Sequence, residues 1–335
     1  MEALHKANEG YAMPYGHDPI MDSVRQKIRD LFEAPDAAVY LCATGTSANS
    51  IALACLCQPW QTVFAHRNSH VEEDECGAPE FFTSGAKITL VDGKDAKMDP
   101  NALATAIDFA GRGGVHNVQR GAVTLTNTTE NGAVYSVSDV TEIARVAKSF
   151  DLPVHMDGAR FANAIAATNA SPAEMTWKAG VDVLTFGGTK NGLLGVEAVI
   201  LFDPQKAWEF ELRRKRSGHL FSKHRYLSAQ MDAYVTDGLW MQMARAANDA
   251  AARLSAGILE IDGASLLHPC QANSIFASWP RGGHRRAQDA GAAYYLWPMD
   301  QTMDGPDDET VSARLVCSWC TTDENIDDFL RLLRG

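Results

Sequence analysis

From residue 39 onward the chain alternates short apolar, β-rich runs with longer helical stretches, and this alternation limits the fold more than any single motif does. Candidate strands are Val39 to Cys42, Thr62 to Ala65, Lys87 to Val91, Ala122 to Thr126, Val154 to Asp157, Val183 to Phe186 and Ala198 to Phe202. Parallel strands need crossovers long enough to hold a helix, and strands covered on both faces read as near-continuous apolar runs. The pattern therefore predicts an α/β domain with a mostly parallel seven-stranded sheet flanked by helices.

Helices between the strands are signalled at Ser138, with Thr141 and Glu142 in the first turn and Ile143, Val146 and Ala147 on one face, and by the Ala-rich stretch after Arg160. A long helical stretch runs from about Tyr226 to Leu259 with few breakers. Beyond it the strands thin out to Ser274 to Trp279 and Ala313 to Cys317, and a closing helix starts near Asp323. The expected division is a large domain over 1–235 and a small C-terminal α+β domain over 236–335.

Composition removes several function classes. At 335 residues, 46% of them hydrophobic, the chain has ample material for a core. A formal charge of -12 argues against a nucleic-acid footprint, despite the basic run Arg213 to Arg216. No apolar run approaches the ~18 residues a membrane helix needs. Seven cysteines at irregular spacing give no disulfide framework, which points to a reducing, cytoplasmic setting. Cys317 and Cys320 form an isolated C-x-x-C, read as a strand end with no metal.

Chemistry gathers at strand ends. In open parallel sheets ligands collect at the carboxyl ends of strands, where helix N-termini point free N–H groups. Asp157 and Lys190 each fall just past such an end, and "ATGTSAN" (43–49) is a small, hydroxyl-rich turn between a strand and an apolar helix. The amides of Gly45, Thr46 and Ser47 make a candidate phosphate cradle. Read singly, each has a plainer explanation: a helix cap at Asp157, a solvated loop lysine, a Thr or Ser N-cap. Together, an acid, an amine and a phosphate cradle fit pyridoxal 5'-phosphate, which needs a lysine for covalent attachment, a carboxylate to keep its ring nitrogen protonated, and an anchored phosphate.

The longer motifs carry a resemblance. "YGHDP" (15–19), "TGTSAN" (44–49), "SHVEEDECGAPEFF" (69–82), "TENGAVYS" (129–136), "HMDGARFANA" (155–164), "SPAEMTWKAGVD" (171–182), "FGGTKNG" (186–192), "RRKRSGHLFSKHRYLSAQ" (213–230) and "RLV" (314–316) follow one another in the order of the threonine aldolase / β-eliminating lyase family of fold-type-I pyridoxal-phosphate enzymes. The chain looks most like the phenylserine aldolase branch. That resemblance implies a fold-type-I transferase-like architecture and retro-aldol cleavage of L-β-hydroxy-α-amino acids (phenylserine, threonine, allo-threonine) to glycine and an aldehyde. It also implies a homotetramer, or at least a homodimer.

Position by position, the resemblance implies Lys190 as the Schiff-base lysine, Asp157 as the partner of the ring nitrogen and His70 as the histidine stacked on the ring. Glu75 matches an acid near that histidine. Arg160, three residues after Asp157 and on the same face at the start of the next helix, is expected to reach the cofactor or the substrate carboxylate, which Arg314 clamps. Lys223 or Arg225 is expected to reach a phosphate across a subunit boundary, with the run Arg213 to Arg216 leading into that segment. Trp60, Tyr15 and His17 are candidates to line the side-chain pocket, though core or interface positions fit them better. Two features depart from the pattern. Glu130 stands where better-known relatives have a histidine, which leaves the general base open between His70 and a water it orders, and the family's Ser-Asp segment ahead of "MEAL" is missing from the sequence. The alternatives are β-elimination or transamination on the same cofactor, and a catalytically impaired homologue.

Overall fold

The computed structural model describes residues 1–335. Its central sheet consists of β1 (Ala38–Cys42), β2 (Gln61–His66), β3 (Lys87–Val91), β4 (Gln119–Thr126), β5 (Val154–Gly158), β6 (Val183–Gly187) and β7 (Glu197–Leu201), in the spatial order β1-β7-β6-β5-β4-β2-β3. Strands β3, β2, β4, β5 and β6 are parallel. β7 runs antiparallel to β6, and β1 antiparallel to β7. The connection from β6 to β7 holds only a short 3-10 turn, too little chain for a helical crossover, so β7 must return in the opposite sense. All the expected strands are present. β4 begins earlier than expected, because Gln119 and Arg120 pair with β2 through backbone alone and leave no apolar trace.

Every residue of β1, β5, β6 and β7 is buried, as expected for strands covered on both faces, whereas edge strand β3 is partly exposed. Two helix expectations need correction. The helix Val137–Lys148 is capped by Ser136, not Ser138, in a reciprocal capping box with Asp139. The long stretch is two helices, Arg225–Val235 and Leu239–Leu259, because Asp237 and Gly238 both take positive φ.

The helix Leu239–Leu259 links two cores. Trp240 and Ala244 pack with the large sheet's cluster, while Ala251, Leu254 and Ile258 pack with Ile275, Trp279, Leu315 and Leu330. The second cluster lies on an antiparallel sheet of β8 (Ser265–Leu266), β9 (Ser274–Pro280), β10 (Tyr295–Leu296) and β11 (Thr310–Val316), ordered β10-β11-β9-β8 and covered by the helix Asp323–Arg334. No helix is long and apolar enough to cross a membrane.

Candidate functional site

Because β1, β2, β4, β5 and β6 share one direction, their carboxyl ends form a single rim, which also receives the start of the reversed strand β7. The helix Gly45–Leu56 follows β1, His70 follows β2, Glu130 follows β4, Asp157 closes β5 and Lys190 follows β6. Residues far apart in sequence meet here for topological reasons.

Asp157 is 1% exposed. Its Oδ1 accepts from the Ala159 amide at 3.0 Å and its Oδ2 from Asn49 Nδ2 at 3.1 Å. The same Asn49 nitrogen donates to Glu75 Oε1 at 2.9 Å, and that oxygen lies 2.9 Å from His70 Nδ1. The result is a continuous chain, His70–Glu75–Asn49–Asp157. Glu75 is buried, and its Oε2 has no partner. The hydrogen bond to Glu75 raises the His70 pKa above its ordinary value, outweighing burial; Asp157 and Glu130 raise it further and Lys190 lowers it. Asn49 does not stand out from sequence, although it closes the "TGTSAN" motif.

Lys190 sits in the 3-10 turn Thr189–Asn191, with its side chain exposed and its charge felt by both His70 and Glu197. Buried contacts fix the turn on both sides. Asn191 Nδ2 donates to Tyr234 Oη at 2.7 Å and to the Trp240 carbonyl at 2.8 Å. The Gly188 amide donates to Glu197 Oε2 at 2.8 Å, and the Val196 amide to Thr189 Oγ1 at 3.1 Å. Glu197, equally inconspicuous in sequence, is buried at the start of β7 beside Gly187, and burial pushes its carboxyl up to about 7. Gly188 and Gly192 resist a larger residue: a Cβ at Gly188 would lie 2.7 Å from the Val196 carbonyl oxygen, and Gly192 takes φ +104°, with a Cβ 2.9 Å from Trp319 Nε1.

At the N-terminus of the helix Gly45–Leu56 the cap is Thr44, whose Oγ1 accepts from the Ser47 amide at 3.2 Å. The expected triple cradle is therefore narrower. The Ser47 amide is spent in the cap, leaving Gly45 and Thr46 as the leading amides. A Cβ at Gly45 would meet nothing within 4 Å, so the space before this terminus is open.

Arg160 is the N-cap residue of the helix Phe161–Thr168, not a residue on its face; Asp157 still belongs to β5. Its guanidinium is buried, which lowers its pKa; Glu130 opposes that shift, Arg314 adds to it, and Asp157 opposes it. Arg160 Nε and Arg314 Nε are both buried without partners. Arg314 leaves β11 toward Glu130, with Nη2 3.9 Å from Glu130 Oε2. The site thus has donors to spare for an anion, a buried acid for a ring nitrogen and an open helix terminus for a phosphate, a set that fits pyridoxal phosphate.

Lys223 is exposed, and Arg225 Nη1 donates to the Gly10 carbonyl at 3.1 Å, so within one chain neither touches these residues. In the basic run, Arg214 is buried over the Tyr40 ring, 5.0 Å from its centre, and donates to the Leu41 carbonyl. Trp60, Tyr15 and His17 are exposed and none belongs to the core. Cys317 follows β11 and is buried, Cys320 is exposed, and both are free thiols.

Comparison with known proteins agrees with this architecture. The family described as beta-eliminating lyase matches residues 1–279. A low specificity L-threonine aldolase of Pseudomonas aeruginosa is 39% identical over 333 residues, covering 99% of this chain and 92% of the relative. A second, from Pseudomonas sp. (strain NCIMB 10558), is 37% identical over the same shares. The solved Leishmania major threonine aldolase superposes with a TM-score of 0.90 at 26% identity, covering 99% of this chain and 94% of that one. A Sphingomonas wittichii serine palmitoyltransferase shares the fold at 14% identity, with a TM-score of 0.70 and coverage of 99% and 82%. With a family match over most of its length and relatives more than a third identical nearly end to end, the chain belongs to the beta-eliminating lyase family, in its threonine aldolase group, and is a pyridoxal-phosphate-dependent lyase of fold type I.

Proposed function

We propose that this protein cleaves L-β-hydroxy-α-amino acids, including threonine, allo-threonine and phenylserine, into glycine and an aldehyde, using pyridoxal phosphate. The observation that carries this reading is the placement of buried Asp157 and the lysine turn on neighbouring strands β5 and β6, with His70 hydrogen-bonded into the same chain of side chains. Pyridoxal phosphate, when bound, supplies the electron sink that makes breaking a Cα–Cβ bond feasible.

The chain's own residues do the rest. Lys190 would hold the cofactor through its amine, at a position open to an incoming substrate amine. Asp157, kept in place by Asn49 and the Ala159 amide, would pair with the ring nitrogen and favour its protonated form. Gly45 and Thr46 would receive the phosphate, with Ser47 shaping the turn through its bonds to Thr44, and Lys223 or Arg225 would join them across a subunit boundary, so the proposed working unit is at least a homodimer and more fully a homotetramer. Arg314 and Arg160 take the substrate carboxylate. An Arg fork suits that task better than an ammonium because it offers two parallel donors in a fixed plane. His70 or a water it orders accepts the β-hydroxyl proton, with Glu75 orienting the imidazole, a placement typically worth 10²- to 10⁴-fold in rate.

Aldehyde release separates this reaction from its rivals. Cofactor-loaded protein is expected to release benzaldehyde from phenylserine and acetaldehyde from threonine with stoichiometric glycine. Ammonia and a keto acid without glycine would point instead to β-elimination, and amino-group transfer to a keto acid would point to transamination. The low specificity named for the Pseudomonas relatives favours including both threonine diastereomers.

A further inference from the structure

Glu130 has no task in that mechanism, yet the loop that carries it is tightly specified. Asn127 closes the loop on itself: Asn127 Oδ1 accepts from the Tyr135 amide at 3.1 Å, and its Nδ2 donates to the Tyr135 carbonyl at 3.2 Å. Thr129 Oγ1 donates to the Asp95 carbonyl and accepts from the Ala133 amide. The Val134 amide donates to Gln271 Oε1 at 2.7 Å, and Gly132, at φ +79°, lies so close to the start of β9 that a Cβ would come within 3.2 Å of the Ser274 carbonyl. A loop tied at both ends and braced by the small domain presents the residue at its tip in one place.

That place faces two arginines. Glu130 Oε2 stands 3.9 Å from Arg314 Nη2, the side chains being 13% and 25% exposed. The separation exceeds a hydrogen bond, so the charges attract without locking. Glu130 is also first among the charges that stabilise the buried Arg160 cation. Both arginines keep a buried Nε without a partner. Two guanidinium groups with unused donors, and a single carboxylate held just short of one and acting on the other through its charge, form an anion site with an internal counter-ion. Leaving the buried Arg160 and the partly buried Arg314 with no counter-ion would be costly, and an occupant held tightly would block an incoming anion.

Resting on the aldolase reading, we propose that Glu130 is a positioning residue: it is the counter-ion of Arg160 and Arg314 in the substrate-free enzyme, and the α-carboxylate of the amino acid displaces it. Glu130 then sets how much of the arginines' attraction is available to substrate. It is a built-in competitor that holds the pair in readiness and weakens carboxylate binding.

Glycine and ethanolamine test this, one carrying the amine with a carboxylate and the other the amine without. Their Kd values would be measured on cofactor-loaded wild type, Glu130→Gln and Glu130→Asp by calorimetry and by the change in cofactor absorbance. Removing a like charge at this range is expected to tighten glycine binding to Glu130→Gln on the order of ten-fold and leave ethanolamine unchanged, with Glu130→Asp between wild type and Gln. KM for threonine should fall with the glycine Kd. Unchanged or weaker glycine binding in Glu130→Gln, or an equal gain for ethanolamine, would overturn the proposal. Should wild type show no glycine response at all, the aldolase reading itself fails, which is a separate result.

Discussion

Asn49 donates from one nitrogen to Asp157 at 3.1 Å and to Glu75 at 2.9 Å, which joins the acid proposed for the ring nitrogen to the acid bonded to His70. Removing that amide leaves two buried carboxylates short of a donor, a loss typically worth ~1–3 kcal/mol. Asn49→Ala is therefore expected to weaken pyridoxal phosphate binding by roughly ten- to a hundred-fold. Titrating the cofactor's absorbance against protein concentration measures it, and affinity equal to wild type would show that Asp157 is held without Asn49.

Gly192 combines φ +104° with close neighbours: a Cβ added there would lie 2.7 Å from Met243 Cε and 2.9 Å from Trp319 Nε1, so Ala at this position strains the lysine turn twice over. Gly192→Ala is expected to cost about 1–3 kcal/mol and to reduce covalent cofactor loading more than it reduces the Tm. Thermal melts of the cofactor-free protein beside absorbance of the loaded protein separate the two effects.

Glu197 gives a pH signature. Its carboxyl moves from an ordinary 4.5 up to about 7, so the folded chain holds this proton more tightly than the unfolded chain. Stability from this group is full below 4.5 and is lost as pH rises to about 7, on the order of 3 kcal/mol in all. In Glu197→Gln that decline should vanish, so the variant gains on wild type between those pH values in chemical denaturation; parallel curves would contradict it.

His155, His224 and His284 act in the opposite sense. All are buried and pushed down to about 4 from 6.5. His155 is wedged between Thr124 Oγ1 at 2.8 Å and Thr185 Oγ1 at 3.2 Å, on the same face of β5 as Asp157. The folded state refuses these protons, so their contribution is complete above 6.5 and is lost as pH falls toward 4. The Tm should drop steeply across that interval, and imidazole NMR titrations should show His155 neutral until pH nears 4. A midpoint near the ordinary 6.5 would contradict this.

Much of this is legible in sequence, for identifiable reasons. The strands announce themselves because both faces are buried, so apolar runs such as Val183 to Phe186 have no alternative use. Asp157 and Lys190 are visible because each interrupts such a run at its carboxyl end. Asn49 and Glu197 are not, since a buried polar residue declares its partner only once the fold brings the turn after β6 beside the start of β7 and the helix after β1 over β5. The cap at Ser136 escapes notice because Ser138 offers the same chemistry two residues on, and only the reciprocal bond to Asp139 distinguishes them. Glu130 reads as a mere departure until β11 brings Arg314 to face it.

The proposed function rests on one amine, Lys190, carrying the cofactor, and the rest of the proposed chemistry depends on it. The most direct test is to incubate the protein with pyridoxal phosphate, reduce with borohydride and map the modified peptide by mass spectrometry, with Lys190→Ala in parallel. The predicted result is one pyridoxyl group per chain, on Lys190, together with a visible absorbance band absent from the alanine variant. Label spread over other lysines, or the same band in Lys190→Ala, would contradict it.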